Sequence, residues 1–174
     1  PLHRHRCQPH LSSVDAEGTI WLAANGNGVR HIAPDLSRIE EMELPTSEAV
    51  TAIVSDHDGT VFFGTTQGRV LAYDSNQPSK FREIVSSKQN DISVSCFCVN
   101  DDNSILLGTD GHGVKKLYLN NGAWSLEDYE FVIADNTRLK VHHIMCDRDG
   151  NHWFGCFQKG VIVVRDGGGK FDYV

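Results

Sequence analysis

Asp56-His57-Asp58-Gly59-Thr60-Val61-Phe62-Phe63-Gly64-Thr65, closing on Gly68-Arg69-Val70, decides the fold, because the chain repeats it three more times. The first copy runs Asp15-Ala16-Glu17-Gly18-Thr19-Ile20-Trp21-Leu22 and closes on Gly26-Asn27-Gly28-Val29. The third runs Asn100-Asp101-Asp102-Asn103-Ser104-Ile105-Leu106-Leu107-Gly108-Thr109 and closes on Gly111-His112-Gly113-Val114. The fourth runs Asp147-Arg148-Asp149-Gly150-Asn151-His152-Trp153-Phe154-Gly155 and closes on Gly160-Val161-Ile162. The anchors Gly18, Gly59, Asn103 and Gly150 stand 41, 44 and 47 residues apart. A period of about 40–50 residues marks propeller blades and related arrays, whose units bury their apolar faces only against one another.

The second copy shows what a unit contains. Val50–Asp56, Thr60–Thr65, Arg69–Tyr73 and Phe81–Val85 are short runs rich in β-branched and aromatic residues, which read as strands. Asp-His-Asp-Gly, Thr-Gln-Gly and Asp74-Ser75-Asn76-Gln77-Pro78 separate them as turns. Where the third copy replaces the turn glycine it uses Asn103, the non-glycine residue that best tolerates positive φ. No stretch sustains helical apolar spacing. The expected fold is therefore all-β: about four blades of four antiparallel strands, with repeats near 8–44, 50–86, 92–132 and 141–174, as a segment of a larger propeller of about seven blades. The large apolar residues at 21, 62, 106 and 153 are expected to fill the space between blades.

Bulk properties narrow the function. A net charge of −7 and an isoelectric point near 5.6 argue against a nucleic-acid surface, whose usual footprint is basic. The basic cluster His3-Arg4-His5-Arg6 sits at one end, and no apolar run approaches the length of a membrane span. Five cysteines, an odd number, exclude a complete disulfide framework. Cys96 and Cys98 share a strand face and cannot readily bridge each other, whereas Cys146 and Cys156 fall on neighbouring strands, where a bridge is geometrically open. Unbridged, they are small buried apolar residues.

Nine histidines raise the question of a metal, and His142, His143, Cys146, His152 and Cys156 crowd the start of the fourth repeat. Consecutive residues on a strand point to opposite faces, so His142 and His143 do not converge as zinc ligands must. His3, His5, Cys7 and His10 match no structural metal motif. The Asp-rich turns lack the later carboxylates of a calcium loop. Asp166-Gly167-Gly168-Gly169-Lys170 lacks the spacing and the Ser/Thr of a phosphate loop. Neither a catalytic residue nor a cofactor is assigned. Trp124 and Tyr129 could stack on a sugar, though their outer-strand position suits packing. Ser93, His142 and His143, at the inner ends of first strands, would line an axial channel.

The pattern Asp-x-x-Gly-x-x-Trp-x-Gly-Thr, followed by Gly-Gly-Leu/Val, resembles the two-component regulator propeller repeat of Bacteroidetes hybrid sensors. Asp147 to Gly155 matches best; Asp56–Thr65 and Asn100–Thr109 depart by one or two residues, and Ala23-Ala24 replaces Gly-Thr in the first copy. Two residues separate Asp from Gly throughout, unlike the single residue of a sialidase-type Asp-box. The resemblance implies an extracytoplasmic, non-catalytic sensor segment, periplasmic in location, with an oligosaccharide ligand and a kinase elsewhere in the parent chain. It implies no nucleic-acid or membrane contact by this segment. The repeats are also similar to those of virginiamycin B lyase, an elimination enzyme that would need a histidine base, for which His142 or His143 could serve, with a magnesium-binding acidic partner, and no matching glutamate stands beside either one. A protein-interaction scaffold is the third reading. An open array would leave roughly 400–500 Å² of apolar surface wet at each end, about 10 kcal/mol of lost burial, and so favour joining further blades or self-association.

Overall fold

The computed structural model describes residues 11–23, 28–74, 81–129, 139–165 and 172–173. Sixteen strands make four antiparallel sheets of four consecutive strands each. The first sheet holds β1 (Leu11–Val14), β2 (Ile20–Ala23), β3 (Gly28–Ile32) and β4 (Ile39–Glu43). The second holds β5 (Val50–Ser55), β6 (Thr60–Thr65), β7 (Val70–Asp74) and β8 (Arg82–Val85), within a residue of the expected runs. The third holds β9 (Val94–Val99), β10 (Ile105–Thr109), β11 (Val114–Asn120) and β12 (Ala123–Asp128). The fourth holds β13 (Val141–Cys146), β14 (His152–Cys156), β15 (Gly160–Val164) and β16 (Asp172–Tyr173). No helix long and apolar enough to cross a membrane occurs among the described residues.

The repeated turn is built from one carboxylate. Oδ1 of Asp15, Asp56 and Asp147 accepts hydrogen bonds from the backbone N–H groups two and four residues on, at 2.8–3.0 Å. The chain then turns through positive φ at Gly18 (84°), Gly59 (85°) and Gly150 (79°), and at Asn103 (63°) in the third copy. There Asp102 takes over the capping, accepting from the Ser104 N–H at 2.9 Å. The second carboxylate oxygen distinguishes the copies. The Trp153 indole donates to Asp147 Oδ2 at 2.9 Å, and the Asn151 amide does so as well. These bonds hold the Asp147 carboxyl down at about 2. At the same position of the second copy the indole is replaced by Phe62, and burial, the largest influence there, pushes Asp56 up.

Three apolar cores lie between successive sheets. Trp21 and Ala23 meet Val61, Phe63, Leu71 and Tyr73 in the first, and Phe62 and Ala72 meet Val94, Ile105 and Leu107 in the second. Leu106 meets Val141, Ile144 and Phe154 in the third. Trp21, Phe62 and Leu106 thus fill inter-sheet space as expected. Trp153 departs from them: it lies on the outward face of the fourth sheet and is only half-buried. The inner strands β1, β5, β9 and β13 lie side by side in that order, and among the described residues no comparable contact brings β13 back to β1. The four sheets form an open arc.

Two devices set the spacing of the arc. A small residue stands at 23, 64, 108 and 155 on the second strands, where the next inner strand crosses close by. A Cβ on Gly64 would lie 2.6 Å from Val94 Cγ1, and one on Gly108 would lie 2.5 Å from Cys96 Sγ and 3.1 Å from Val141 Cγ1. Three of the four inner strands, β5, β9 and β13, also carry a bulge near their start, at Thr51, Ser95 and His142. The first two bulged side chains bond to the next inner strand: Thr51 Oγ1 donates to Val94 O at 2.5 Å, and Ser95 Oγ donates to Val141 O.

No disulfide joins the four described cysteines, and Cys96, Cys98 and Cys156 pack at the seam between the third and fourth sheets. Cys146 pairs with His152 in the β13–β14 ladder and Cys156 with Val141, so the two thiols sit at opposite ends and no bridge joins them. Burial pushes the Cys96 thiol up to about 11, which suits an inert filler.

Gly64→Ala must displace Val94 and should destabilise the protein by about 1–3 kcal/mol. Gly155→Ala, whose Cβ meets nothing nearer than His143 at 3.7 Å, should change stability by less than about 0.5 kcal/mol. Urea unfolding of the two variants checks the contrast. Because Asp147 has a depressed pKa, its contribution is complete above the ordinary carboxylate value and is lost as pH falls through about 2. Acid titration followed by circular dichroism should therefore show Asp147→Asn losing that part of the pH dependence.

Candidate ligand-binding cleft

The antiparallel topology sorts the loops between two faces. Turns joining second to third strands, together with the connections between sheets, share one face; the Asp-led turns and the third-to-fourth turns share the other.

On the connection face several polar groups bond to one another, although Asn90 Oδ1 is buried without a partner. Buried Glu48 accepts from Thr65 Oγ1 at 2.5 Å and from Arg69 Nε at 2.6 Å, and Arg69 also reaches Glu83. Asn90 Nδ2 donates to Gly68 O and Ile92 O, both at 3.0 Å, and Lys140 pairs with Asp110 at 3.0 Å. These contacts pin the turns to the connections.

The opposite face carries a cleft of about 270 Å³ between the first and second sheets, near the small end of ligand pockets. Its wall is built by the first sheet's own ladder. Trp21 stands opposite His31, and His31 opposite Glu40, so three strands place these side chains in one row. The Trp21 indole is fixed by Asp15 Oδ2 at 2.9 Å, and its ring meets Tyr73 at 5.0 Å and His31 at 5.2 Å between centroids. His31 Nε2 lies 2.6 Å from Glu40 Oε2, and Arg38 engages the other carboxylate oxygen. The His31 hydrogen bond first, and the Arg38 charge after it, hold the Glu40 carboxyl below its usual range. Burial, reinforced by Glu40 and Asp74, pushes the Tyr73 phenol up. Glu17, Thr19, Ala33 and Pro34 complete the lining. Such a site offers a fixed carboxylate, a guanidinium and an aromatic edge, the set that recognises a neutral polyhydroxylated ring. A second, more polar hollow of about 420 Å³ lies beside Gly28, Glu41–Leu44, Thr46 and Ser47 and has no aromatic wall.

The residues singled out from sequence are dispersed. Trp124 packs edge-on against Phe62 at 5.3 Å, and the Tyr129 hydroxyl meets His152 Nδ1 at 3.2 Å, so both serve packing. His152 Nε2 reaches Asn100 Oδ1 of the preceding sheet at 2.9 Å. His142 meets the Phe157 ring at 5.9 Å, His143 lies over Gly155, and both are exposed. Ser93 lends its carbonyl to the Asp110 N–H at 3.1 Å. His142, His143, Cys146, His152 and Cys156 do not form a cluster able to hold a metal ion. His3, His5, Cys7, His10 and Asp166–Lys170 lie outside the described residues. The row His31, Glu40 and Arg38 escaped the sequence reading. Its one signal is the Pro34-Asp35 turn, which makes residues nine apart face each other.

No family model and no curated protein matches the sequence. Solved structures do resemble the fold. The extracellular domain of a putative hybrid two-component system, BT4673 of B. thetaiotaomicron, is 18% identical with a TM-score of 0.71, over 94% of this chain and 21% of that one. Virginiamycin B lyase from Staphylococcus aureus is 16% identical with a TM-score of 0.75, over all of this chain and 58% of that one. YCF48 bound to D1 peptide is 13% identical with a TM-score of 0.69, over 89% and 49%. The chain therefore spans under two thirds of each of these proteins. At these identities the likeness establishes the β-propeller fold, in agreement with the four-sheet arc.

Trp21→Phe keeps the ring but deletes the donor to Asp15, a buried carboxylate. The loss should be about 1.5–3 kcal/mol, the range for hydrogen bonds to charged groups, read by urea unfolding.

Proposed function

We propose that this chain is a ligand-binding stretch of an extracytoplasmic sensor propeller and that its ligand is a neutral oligosaccharide, one ring of which enters the cleft between the first two sheets. The observation that carries the reading is Glu40, gripped by His31 and Arg38 beside Tyr73. A carboxylate so held accepts hydroxyl hydrogen bonds without reorganising, and the rim of Tyr73 lines the cleft beside it. The repeat motif, and the fold shared with extracellular domains of Bacteroides two-component systems, support the same assignment.

Binding without turnover fits the chemistry of the cleft. A carboxylate whose pKa is pushed down is a weak base near neutral pH, and Glu40 is such a group. Fold likeness to virginiamycin B lyase favours elimination as a second reading, for which His143 is the candidate base. His143 has no carboxylate partner among the described residues.

Calorimetric titration with a panel of neutral oligosaccharides is the test, with the sugar analysed afterwards. The expected outcome is saturable binding, recovery of the sugar intact, and at least about tenfold weaker affinity, or 1.4 kcal/mol, in Tyr73→Ala and Glu40→Gln. Affinity unchanged in both variants, or no binding across the panel, would remove the cleft as the site. Sugar cleavage, or turnover of virginiamycin B lost in His143→Ala, would replace sensing with catalysis.

A further inference from the structure

Two thiols meet across the seam between the third and fourth sheets, in the interior of the arc. There β9 and β13 run side by side in the same direction. Near their starts they are tied by Ser95 Oγ, which donates to Val141 O. Near their ends they are tied again, because Asn100 Oδ1 lies 2.9 Å from Nε2 of His152, the ladder partner of Cys146. Between these ties Cys98 turns toward the fourth sheet and packs against the cluster that holds Ile144 and Phe154. Cys146 stands two residues beyond Ile144 on the same strand, so strand alternation puts it on that face, while Met145 between them points away and is exposed. The Cys146 N–H is directed at the Cys98 sulfur, which brings the two residues into contact.

The remaining thiols of the seam are placed differently. Cys96 Sγ is wedged over Gly108, 2.5 Å from where a Cβ on that glycine would stand, and burial, which raises it to about 11, keeps it protonated and inert. Cys156 lies on β14 and donates to Phe154 O at 3.7 Å. By contrast, Cys98 donates to the Val99 carbonyl at 4.0 Å and Cys146 to the Asp147 carbonyl at 3.6 Å, long contacts that each thiol gives up by turning about χ1. We propose that Cys98 and Cys146 form a disulfide on exposure to a disulfide oxidant such as oxidised glutathione, the structure showing the reduced form. One thiolate of the pair attacks a sulfur of the oxidant, giving a mixed disulfide and expelling one thiolate. The second protein thiolate then attacks the protein sulfur of that intermediate and expels the other. Two protein thiols thus give up two protons and two electrons, and the oxidant becomes two thiols. The bridge closes a long loop and joins the inner strands of neighbouring sheets, so it stabilises the fold by restricting the unfolded chain. It is independent of any ligand in the cleft.

The test is to treat the folded whole chain with oxidised glutathione at about pH 8.5, the ordinary thiol pKa, then to alkylate, digest and map it by mass spectrometry. The expected product has lost two hydrogens and yields one linked peptide pair, Cys98 with Cys146. Cys98→Ser and Cys146→Ser should each abolish that pair, whereas Cys96→Ser and Cys156→Ser should leave it. Circular dichroism before oxidation confirms that each variant is folded, and the map of the wild type stands without them. Oxidised wild type should melt about 5–10 °C above the reduced protein, the shift expected of such a bridge in a domain of this size, and Cys98→Ser should show no difference. Thiols that all remain open to alkylation after oxidation overturn the proposal. So does a principal link between any other pair, such as Cys146 with Cys156 or Cys96 with Cys156, and so does a link between two molecules.

Discussion

Everything in this architecture depends on how closely each inner strand approaches the second strand of the sheet before it. Ala23, Gly64 and Gly108 leave that space, and Val94 and Val141 take it. The approach brings the bulged Thr51 and Ser95 within reach of the next strand's carbonyls, so backbone groups at the centre of the arc are paired between sheets. It also brings Trp21, Phe62 and Leu106 into contact with the following sheet, where most of the burial occurs. Sheets packed about 10 Å apart at their middles need such a close point to converge on an axis.

The Asp-led turn is the second recurring element, and its variation shows how one motif acquires different properties. Oδ1 always organises the turn, whereas Oδ2 depends on whether the residue six positions on is tryptophan. At Asp147 the Trp153 indole and the Asn151 amide hold the carboxylate in its charged form; at Asp56, with Phe62 in the indole's place, burial works against the charge. The turns also join neighbouring sheets directly. Asn103 accepts from the His57 N–H at 3.2 Å and donates to Asp58 at 2.6 Å, so the residue that replaces a turn glycine serves as a tie as well.

The cleft shows how binding chemistry arises at a seam between repeats. Trp21, His31 and Glu40 come from one sheet and Tyr73 from the next; the positions of Trp21 and Tyr73 carry apolar packing residues in the later sheets, whereas that of Glu40 is charged in each of them, as Arg82, Glu127 and Asp172. Repetition supplies the scaffold. The departure from repetition is His31, which stands where the later sheets carry Ala72, Lys116 and Val163 and so gives Glu40 its partner.

The sequence by itself determined the strand count, the turn chemistry, the period and the packing role of residues 21, 62 and 106, because these follow from local alternation, from φ preferences and from repetition. It also indicated that Trp124 and Tyr129 pack. Tertiary structure alone decided the rest. That Cys146 and Cys156 stand at opposite ends of a ladder is a matter of register, which Cys-Cys spacing does not encode. That Trp153, identical in motif to Trp21, faces outward depends on which sheets have neighbours. The pairing of Glu40 with His31 and Arg38 is set by register within one hairpin, whose turn is its only trace in the sequence. Tyr73, which closes the cleft, comes from the next sheet, and no local pattern records that contact.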